Sequence, residues 1–322
     1  MNIFEMPYIP AEYHLLIKHI LQYGHAVERR GAETLELEGV TIISQNPRKR
    51  FICRKKVNVA FLLQDCEDVF YGRNPGYAFN YNKNLCTFMN DKGTFDGAYG
   101  ERICKQFGHN QIWRVVNQLR EDKLTRRAII NIHSAAYENY NGKDVCCTMY
   151  LHPFVNGDKL DMIAHMRSND AILGFTYDTQ MFQWFQELLA GFLGLDIGYY
   201  YHMCDSLHIY TDMAEFAEEI GNDLLDVYEK ITPIDCRLNE YEFNSIMSSI
   251  QLSNNNARKG SYTEAFTIAK DIRNQYYKSW ALSILFYELF INGKFTIAKE
   301  VQNEILNEWR VWSNNLLKTK VI

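Results

Sequence analysis

The sequence predicts an α/β or α+β fold followed by an all-helical C-terminal region. Over residues 1–230, segments with strand patterns alternate with amphipathic helices, the order expected of a sheet covered by helices. From about residue 212 onward the pattern is almost entirely helical. We therefore divide the chain into a first domain at 1–230 and a helical extension at 231–322, with repeat-like character in the extension.

The elements follow from hydrophobic periodicity and turn residues. Helices are predicted where apolar residues share one helical face, at 10–25, 58–70, 110–121 and 181–195. Strands are predicted where residues alternate or run apolar, at 33–39, 40–44, 126–133, 148–155, 159–168 and 199–211. The turn Asn156-Gly157-Asp158 joins two of these strands and predicts a hairpin. Turn residues crowd 71–82 and 90–100, which are predicted as loops.

Composition limits the function classes. The chain has 322 residues, 47% of them hydrophobic, with a net charge of −5, so no duplex nucleic-acid interface is indicated. The eight cysteines form no CxxC pair and the nine histidines form no HExxH motif, which predicts a reduced protein without a metal site. A basic leader and an apolar run of about 18 residues are both missing, which predicts a soluble cytoplasmic protein that binds no membrane.

A weak internal repeat marks the extension. Five residues of its first copy recur 33 positions later: Gly260, Tyr262, Ala265, Ile268 and Ile272 return as Gly293, Phe295, Ala298, Val301 and Ile305. This period is typical of helix-turn-helix units. Two such units do not bury a core alone, so we expect them to pack on the first domain or on a second subunit.

The residues that carry chemistry fall within 146–212. Cys147 precedes a predicted strand, and Arg167 and Ser168 follow it by 20 and 21 positions. The same stretch then holds further polar and glycine positions at Asp170, Gly174, Asp178, His208 and Tyr210. Taken alone, a cysteine before a strand is more often a small buried residue than a nucleophile. The order and spacing of the whole set are what give Cys147 a role.

In that order and spacing the residues resemble the thymidylate synthase superfamily over about 200 residues. Further upstream motifs match at Arg29 in RRGAETL, at Thr125-Arg126-Arg127 and at Tyr99-Gly100. The resemblance implies a three-layer fold with a mixed β-sheet and a covalent reaction at C5 of a pyrimidine nucleotide. It also implies a homodimer in which phosphate-binding arginines are shared across the interface.

The resemblance assigns a role to each matched residue. Cys147 would add to C6 of the base, since covalent catalysis of this kind needs a soft nucleophile that can leave again. The nucleotide would be bound by Arg29, Arg126, Arg127, Arg167, Ser168, Asp170, Gly174, Asp178, His208 and Tyr210. Asp170 and Tyr99 would contact the one-carbon donor, 5,10-methylenetetrahydrofolate. We expect Arg167 also to lower the pKa of Cys147, and we assign no role to the neighbouring Cys146.

Asp178 narrows the choice of base. Thymidylate synthases have Asn at this position, whose amide matches N3–H and O4 of uracil. A carboxylate instead accepts from the N4 amine of cytosine, and from N3 once the ring is protonated. Asp here is typical of the deoxycytidylate hydroxymethylases, and Thr148 and Ser206 agree. The resemblance therefore predicts hydroxymethylation of CMP or dCMP.

Two alternatives stay open. The first is a divergent thymidylate synthase that methylates dUMP. The second is a non-catalytic nucleotide-binding protein whose helical tail binds a partner.

The sequence departs from the family at two places. Where the family has a catalytic Glu, alignment of Gly72 places Asp65, with Glu67 as the second candidate. Where the family ends in a short tail that closes over the folate, about 90 helical residues follow Asp235. The aromatic wall against which the family packs folate has no clear match in the sequence.

Overall fold

The computed structural model describes residues 2–52, 56–222 and 235–319. Strands in these ranges form one eight-stranded sheet: β1 (Asn2–Met6), β2 (His25–Arg29), β3 (Ala32–Ser44), β4 (Ile130–Asn131), β5 (Thr148–Asn156), β6 (Lys159–Met166), β7 (Asn169–Asp170) and β8 (Asp196–Tyr210). The order is β1-β3-β8-β6-β5-β4, with β2 paired to β3 and β7 paired to β8. β8 is antiparallel to β3 and parallel to β6 and β7, so the predicted mixed sheet is confirmed.

Helices cover one face of this sheet. They are α1 (Ile9–Tyr23), α2 (Val59–Tyr71), α3 (Tyr99–Glu101), α4 (Gln111–Glu121), α5 (Gly174–Leu193), α6 (Ala214–Asn222), α7 (Glu240–Arg258), α8 (Tyr262–Asp271), α9 (Gln275–Ile291), α10 (Phe295–Gln302) and α11 (Asn307–Lys318). α5 is buried almost all round, between β6 and β8 on one side and α2 and α4 on the other. Sheet, central helix and outer helices therefore make three layers, as predicted.

Local capping explains where the outer helices begin and end. Asn58 caps α2 by accepting from the backbone N–H groups of Ala60 and Phe61, and Gly72 ends the helix in the left-handed conformation with φ 65°. Residues 72–110, predicted as loop in large part, contain the 3-10 turns Tyr77–Asn80 and Lys83–Phe88 and a π-helical turn Arg102–Gln106.

Some predicted boundaries were wrong. The two strands predicted at 33–39 and 40–44 are one strand, β3. Gly39 has a φ of 62°, but the strand continues on both sides of it. β2 was not predicted, and the strand predicted at 126–133 reduces to Ile130–Asn131.

Helix α5 starts at Gly174, seven residues before the predicted 181. Its first turns are polar and hide the apolar period, but the hydroxyls of Thr176 and Thr179 donate to backbone carbonyls one turn earlier. Asp178 therefore lies on a helix.

The extension packs on the first domain through both apolar and polar contacts. Trp280 of α9 is fully buried, 5.2 Å from the ring of Trp184 in α5, within one continuous core. The α2 surface is also held: Asn254 Nδ2 donates to Glu67 Oε2 at 3.3 Å, and Arg258 Nη1 donates to Gln64 Oε1 at 2.9 Å. The predicted boundary at 230 lies in 223–234, outside the described residues.

The repeat is present as two helices that follow left-handed glycines. Gly260 has φ 83° and Gly293 has φ 72°, and each precedes a helix, α8 and α10. The alanines at matching positions, Ala265 and Ala298, are both fully buried. The predicted packing on the first domain is confirmed. No helix in the described ranges is long and apolar enough to cross a membrane.

Truncation of Trp280 to alanine is expected to destabilise the fold by about 3–5 kcal/mol, because it leaves a large cavity between the extension and α5. Denaturant unfolding at equilibrium measures this. Tyr241→Ala is the matched control: Tyr241 lies in the first turn of α7 in the same extension but is 84% exposed, so its loss should change the free energy of unfolding by less than about 0.5 kcal/mol. Equal effects of the two substitutions would contradict a shared core.

Candidate active site

Cys147 lies half-buried at the start of β5, and Arg167 lies beside it at the end of β6. The two strands form the predicted hairpin, in which Thr148 pairs with Met166. Arg167 Nη2 is 3.6 Å from Cys147 Sγ. The guanidinium is fixed in that position because Nε donates to Cys146 O at 2.8 Å and Nη2 donates to Val145 O at 2.9 Å. A spacing of 20 residues thus closes into one site.

The guanidinium of Arg167 lowers the pKa of Cys147, as expected, but it does not outweigh the effect of burial. Burial raises the pKa of the Cys147 thiol more than the guanidinium of Arg167 lowers it, and Asp178 and Asp144 raise it further. Arg30 lowers it from the turn between β2 and β3. The net pKa is raised, so Arg167 partly offsets burial, and the thiol form is favoured near neutral pH in the protein without ligand.

Cys146 points away from the site. It is buried, and its thiol donates to Gly97 O at 3.3 Å. Burial raises the pKa of this thiol to about 12. Such a buried thiol is a poor nucleophile, in agreement with the absence of an assigned role.

Asp178 projects from the second turn of α5 toward the same site. Its Oδ2 accepts from Asn169 Nδ2 at 2.8 Å. Burial raises the pKa of Asp178 to about 7, Asn169 lowers it and the nearby Asp170 raises it. Gly174 lies under this pair: a Cβ there would be 3.0 Å from Asn169 Nδ2 and 3.7 Å from Asp178 Oδ2. A glycine therefore allows the close approach.

No sequence motif singles out Asn169. It sits between the matched Ser168 and Asp170, so the polar run was visible, but its inward direction was not. Ser168 lies half-buried in the bend between β6 and β7. Asp170 accepts from the backbone N–H groups of Ile172 at 2.9 Å and Leu173 at 3.2 Å. Asp170 thus stabilises the turn into α5, next to Asp178.

His208 and Tyr210 lie on β8 at the edge of the site. The pairing of β8 places His208 between Glu36 of β3 and Asp170 of β7. The rings of His208 and Tyr210 meet edge to face at 5.0 Å. Tyr210 is 38% exposed, which leaves its hydroxyl available to a ligand.

The two arginines of the β2–β3 turn have different surroundings. Arg29, the one predicted to bind phosphate, pairs with the buried Glu36 at 3.1 Å. Arg30 adopts a left-handed φ of 53° and is exposed, and its charge lowers the pKa values of both Cys147 and Tyr210. Arg30 is therefore the cation of this turn that acts on the site, and the doubled arginine in the sequence gave no means of choosing between them.

Arg126 and Arg127 are exposed in the loop before β4. Neither forms an ion pair in the described part of the chain, and neither is among the largest influences on the pKa of Cys147. Within one chain they therefore stay apart from the other predicted phosphate ligands.

Asp65 and Glu67 face opposite sides of α2. Glu67 is buried and paired with Arg73 and Asn254, toward the extension. Asp65 faces a cavity of about 210 Å³ and accepts no hydrogen bond from the described residues. Burial raises the pKa of Asp65 to about 8, with further increases from Asp68 and Asp178. Of the two candidates, Asp65 is thus the one that faces the cavity, which Asp68 and Asp144 also line.

The cavity extends from Asp65 to Tyr99. It is also lined by aromatic rings that no sequence motif predicted: Phe61, Phe79, Phe88 and Phe95. Tyr99 is a close electrostatic neighbour of Asp178 and Cys147, and burial raises the pKa of its hydroxyl. The extension contacts the segment that carries Phe79: Arg258 lies 4.2 Å from the ring centre of Tyr77, and Tyr81 donates to Glu288 at 2.8 Å.

The described ranges contain a group of possible metal ligands on β2 and β3: His25, Glu36 and Glu38. His25 and Glu38 are exposed, whereas Glu36 is buried and pairs across the sheet with His208. Glu36 is already paired with Arg29 through both of its oxygens. Arg29 would therefore compete with any metal ion for Glu36.

Comparison with known proteins adds to this geometry. The sequence model of the thymidylate synthase family matches residues 11–246. A deoxyuridylate hydroxymethyltransferase of Bacillus phage SP01 is 30% identical over 229 residues, which cover 66% of this chain and 59% of that protein. A second deoxyuridylate hydroxymethyltransferase, from Pseudomonas phage M6, is 27% identical over 58% of this chain and 54% of that protein. The chain thus spans less than two thirds of the length of either relative.

A putative thymidylate synthase of Methanocaldococcus jannaschii is 24% identical over 66% of this chain and 92% of that protein. Among solved structures, the thermostable thymidylate synthase A from Bacillus subtilis is similar with a TM-score of 0.58 and 19% identity, over 66% of this chain and 84% of that one. This likeness confirms the predicted fold.

Proposed function

The chain belongs to the thymidylate synthase family, and on that premise we propose that it hydroxymethylates C5 of a cytidine nucleotide, CMP or dCMP. The donor proposed is 5,10-methylenetetrahydrofolate. The observation that carries the proposal is the placement of Asp178, a carboxyl with a raised pKa, beside Cys147 and Arg167.

Asp178 fits cytosine in both of its protonation states. With a pKa raised by burial to about 7, it is present as acid and as carboxylate near neutral pH. The acid offers one donor and one acceptor, which match N3 and the N4 amine of cytosine. After the proton moves to N3, the carboxylate accepts from both N3–H and N4–H.

The reaction begins when the Cys147 thiolate forms a bond to C6. The electron pair of the C5–C6 double bond shifts toward N3, which takes the proton of Asp178, and C5 becomes nucleophilic. C5 bonds to the methylene carbon of the one-carbon donor and loses its hydrogen as a proton, tetrahydrofolate leaves, and water adds to the exocyclic methylene that remains on C5. The protons released from C5 and from water equal the two that the freed nitrogens of tetrahydrofolate take up. Cys147 finally leaves C6 as a thiolate, which Arg167 at 3.6 Å stabilises, the N3 proton returns to Asp178, and the 5-hydroxymethyl nucleotide is formed.

The aromatic cavity fits part of the donor. At about 210 Å³ it is below the ~300–1,000 Å³ typical of sites that enclose a drug-sized ligand. It can therefore hold a ring system but not a whole folate. The phenylalanine rings suit stacking of a pterin, and Asp65 suits its N–H groups. Residues of the cavity and Asp170 are the proposed donor contacts.

A second candidate substrate is a uridine nucleotide. The two phage relatives are named for deoxyuridylate. The acid form of Asp178 can also donate to O4 of uracil and accept from N3–H. On ionisation, however, the carboxylate repels O4, so this reaction would slow as the pH rises through about 7.

The test incubates the protein with CMP, dCMP, UMP or dUMP plus methylenetetrahydrofolate and reads the product mass. Addition of CH2O to a cytidine nucleotide is the expected result. Addition of CH2 to dUMP would indicate a thymidylate synthase instead. Absence of product from all four would favour a non-catalytic nucleotide-binding protein.

Asp65→Asn is expected to lower kcat by about 10²–10⁴-fold, because the proposed acid–base group beside the cavity is lost.

Asp65→Asn should also remove a pH dependence of the free energy of unfolding. The pKa of Asp65 is raised to about 8, so wild-type stability is lost as the pH rises from the usual Asp pKa through 8. Denaturant unfolding between pH 5 and about 9 compares the two. Asp91→Asn, at an exposed acid, is the control; parallel curves for wild type and Asp65→Asn would exclude this role of burial.

We further propose a homodimer formed through the face of the sheet opposite to α1 and α5. Large apolar side chains on that face are exposed: Tyr199 by 47%, Met203 by 36% and Ile3 by 51%. In a symmetric dimer, Arg126 and Arg127 would reach the partner's nucleotide site. Mixing Cys147→Ala with Arg126→Ala chains should then restore about a quarter of wild-type turnover, since half of the dimers are hybrids with one intact site. No recovery would reject a shared site.

A further inference from the structure

A buried chain of hydrogen bonds ends on Asp178. Tyr200 Oη lies 2.9 Å from His202 Nδ1, and His202 Nε2 lies 3.1 Å from Asn169 Oδ1. Asn169 Nδ2 then donates to Asp178 Oδ2 at 2.8 Å. Tyr200 and His202 have no exposed surface and Asn169 is 3% exposed. Side chains from β8 and β7 thus reach the helix α5 without access to water.

The donor and acceptor of each hydrogen bond in this series are fixed by Tyr200, at the end away from Asp178. Burial lowers the pKa of His202 to about 3, so the ring is neutral and carries one N–H. In the described part of the chain the Tyr200 hydroxyl has only His202 as a hydrogen-bond partner. A buried O–H without an acceptor is costly, so Tyr200 donates to Nδ1. Nε2 then carries the proton and donates to the carbonyl oxygen of Asn169.

This direction makes the two oxygens of Asp178 unequal. Because the carbonyl of Asn169 faces His202, its amide N–H must face Asp178. Oδ2 is therefore an acceptor in both protonation states, and the proton of the acid form resides on Oδ1. The reverse arrangement would bring Asn169 Oδ1 against Oδ2 and leave the hydroxyl of Tyr200 without an acceptor.

We propose that Tyr200, His202 and Asn169 form a positioning relay that sets base selectivity by fixing which oxygen of Asp178 donates. The proposal rests on the proposed function, because it assigns the relay to reading of the pyrimidine edge. None of the three residues needs to touch the base. They act through the orientation of the Asn169 amide, which the tautomer of His202 determines.

Other groups around Asp178 act equally on all variants of the relay. The titratable and charged side chains around it on the neighbouring elements are Asp170 beside α5, Asp65 on α2, Tyr99 on α3, Cys147 before β5, Arg167 after β6 and Cys204 on β8. None of them bonds to Tyr200 or His202 in the described structure. A change in selectivity confined to relay variants therefore reports on the relay.

The test compares Tyr200→Phe with Tyr201→Phe, which removes the same hydroxyl from the next residue on the opposite face of β8. In Tyr200→Phe, His202 can take the other tautomer and Asn169 can turn over. We expect the ratio of kcat/KM for the preferred nucleotide to that for its cytidine or uridine counterpart to fall about tenfold, the effect of one hydrogen bond. Tyr201→Phe should leave the ratio unchanged.

His202 variants sharpen the test. Gln can still donate to Asn169 and accept from Tyr200, so His202→Gln should keep a ratio within about threefold of wild type. Leu can do neither, so His202→Leu should lose at least as much selectivity as Tyr200→Phe. An unchanged ratio in both Tyr200→Phe and His202→Leu overturns the proposal, and Met162→Ala, in a core position paired with Tyr200, controls for destabilisation.

Infrared titration of the Asp178 carboxyl in the ligand-free protein separates this inference from the proposed function. The band is assigned by its loss in Asp178→Asn. The pKa should rise in Tyr200→Phe, because the donor from Asn169 that lowers it is no longer held in place. If the wild-type protein turns over none of the nucleotides, the proposed function is refuted but the relay is not. The relay is then refuted if the pKa of the Asp178 carboxyl is the same in the wild type and in the relay variants.

Discussion

Replacement of Cys147 by alanine is expected to abolish product formation, with a fall in turnover of about 10⁴-fold or more. The reason is chemical: without a bond to C6, C5 of the pyrimidine is too weak a nucleophile to take up the methylene group. Nucleotide binding should remain, because Arg30, Arg167, His208 and Tyr210 stay in place. Mass spectrometry of products and calorimetry of nucleotide binding measure the two effects separately.

Cys146→Ala is the matched control for this substitution. The two thiols are adjacent in sequence, but Cys146 is buried and donates to Gly97 O. Its loss should leave most of the turnover, with some loss of stability. Product formation by Cys147→Ala would contradict covalent catalysis, and biological activity of that variant without product would favour the nucleotide-binding alternative.

Asp178→Asn is expected to reverse the preference between cytidine and uridine nucleotides by about 10²-fold or more. Asn169 still donates to the oxygen at position 178, so the new amide directs its N–H groups toward the base. These donors suit O4 of uracil but face the N4 amine of cytosine. Each unpaired buried donor costs about 1–3 kcal/mol, and both nucleotides contribute to the change in ratio.

The pH dependence supplies the control for this prediction. In the wild type, the Asp178 ionisation near pH 7 should appear in the rate profile, and in Asp178→Asn it should be absent. The ratio of kcat/KM for the two nucleotides, measured at several pH values, tests both statements. An unchanged ratio would mean that another residue reads the base.

The sequence was sufficient for the parts of the site that depend on local order. Cys147 and Arg167 lie at the two open ends of one hairpin. Their spacing along the sequence therefore predicts that they are close in space. Asp178 followed from the same register, although the polar first turns of α5 concealed that it lies on a helix.

Features that depend on distant segments were not predictable. The aromatic cavity combines Phe61 of α2 with Phe79, Phe88 and Phe95, which come from irregular stretches without periodicity. The pKa of Cys147 depends on burial, which a sequence does not reveal. The relay joins Tyr200 and His202 to Asn169. His202 and Asn169 are 33 residues apart in the sequence and are brought together by strand pairing alone.

The hydrogen bonds between the extension and α2 have an evolutionary consequence. Gln64 meets Arg258, and Glu67 meets Asn254, on the face of α2 opposite to Asp65. A change at either end of these pairs leaves a buried polar partner unmatched. The two pairs should therefore co-vary among relatives that share the extension, while relatives without it should tolerate apolar or variable residues at both α2 positions. Selection on a segment far along the chain thereby constrains the helix that carries Asp65, the proposed catalytic acid.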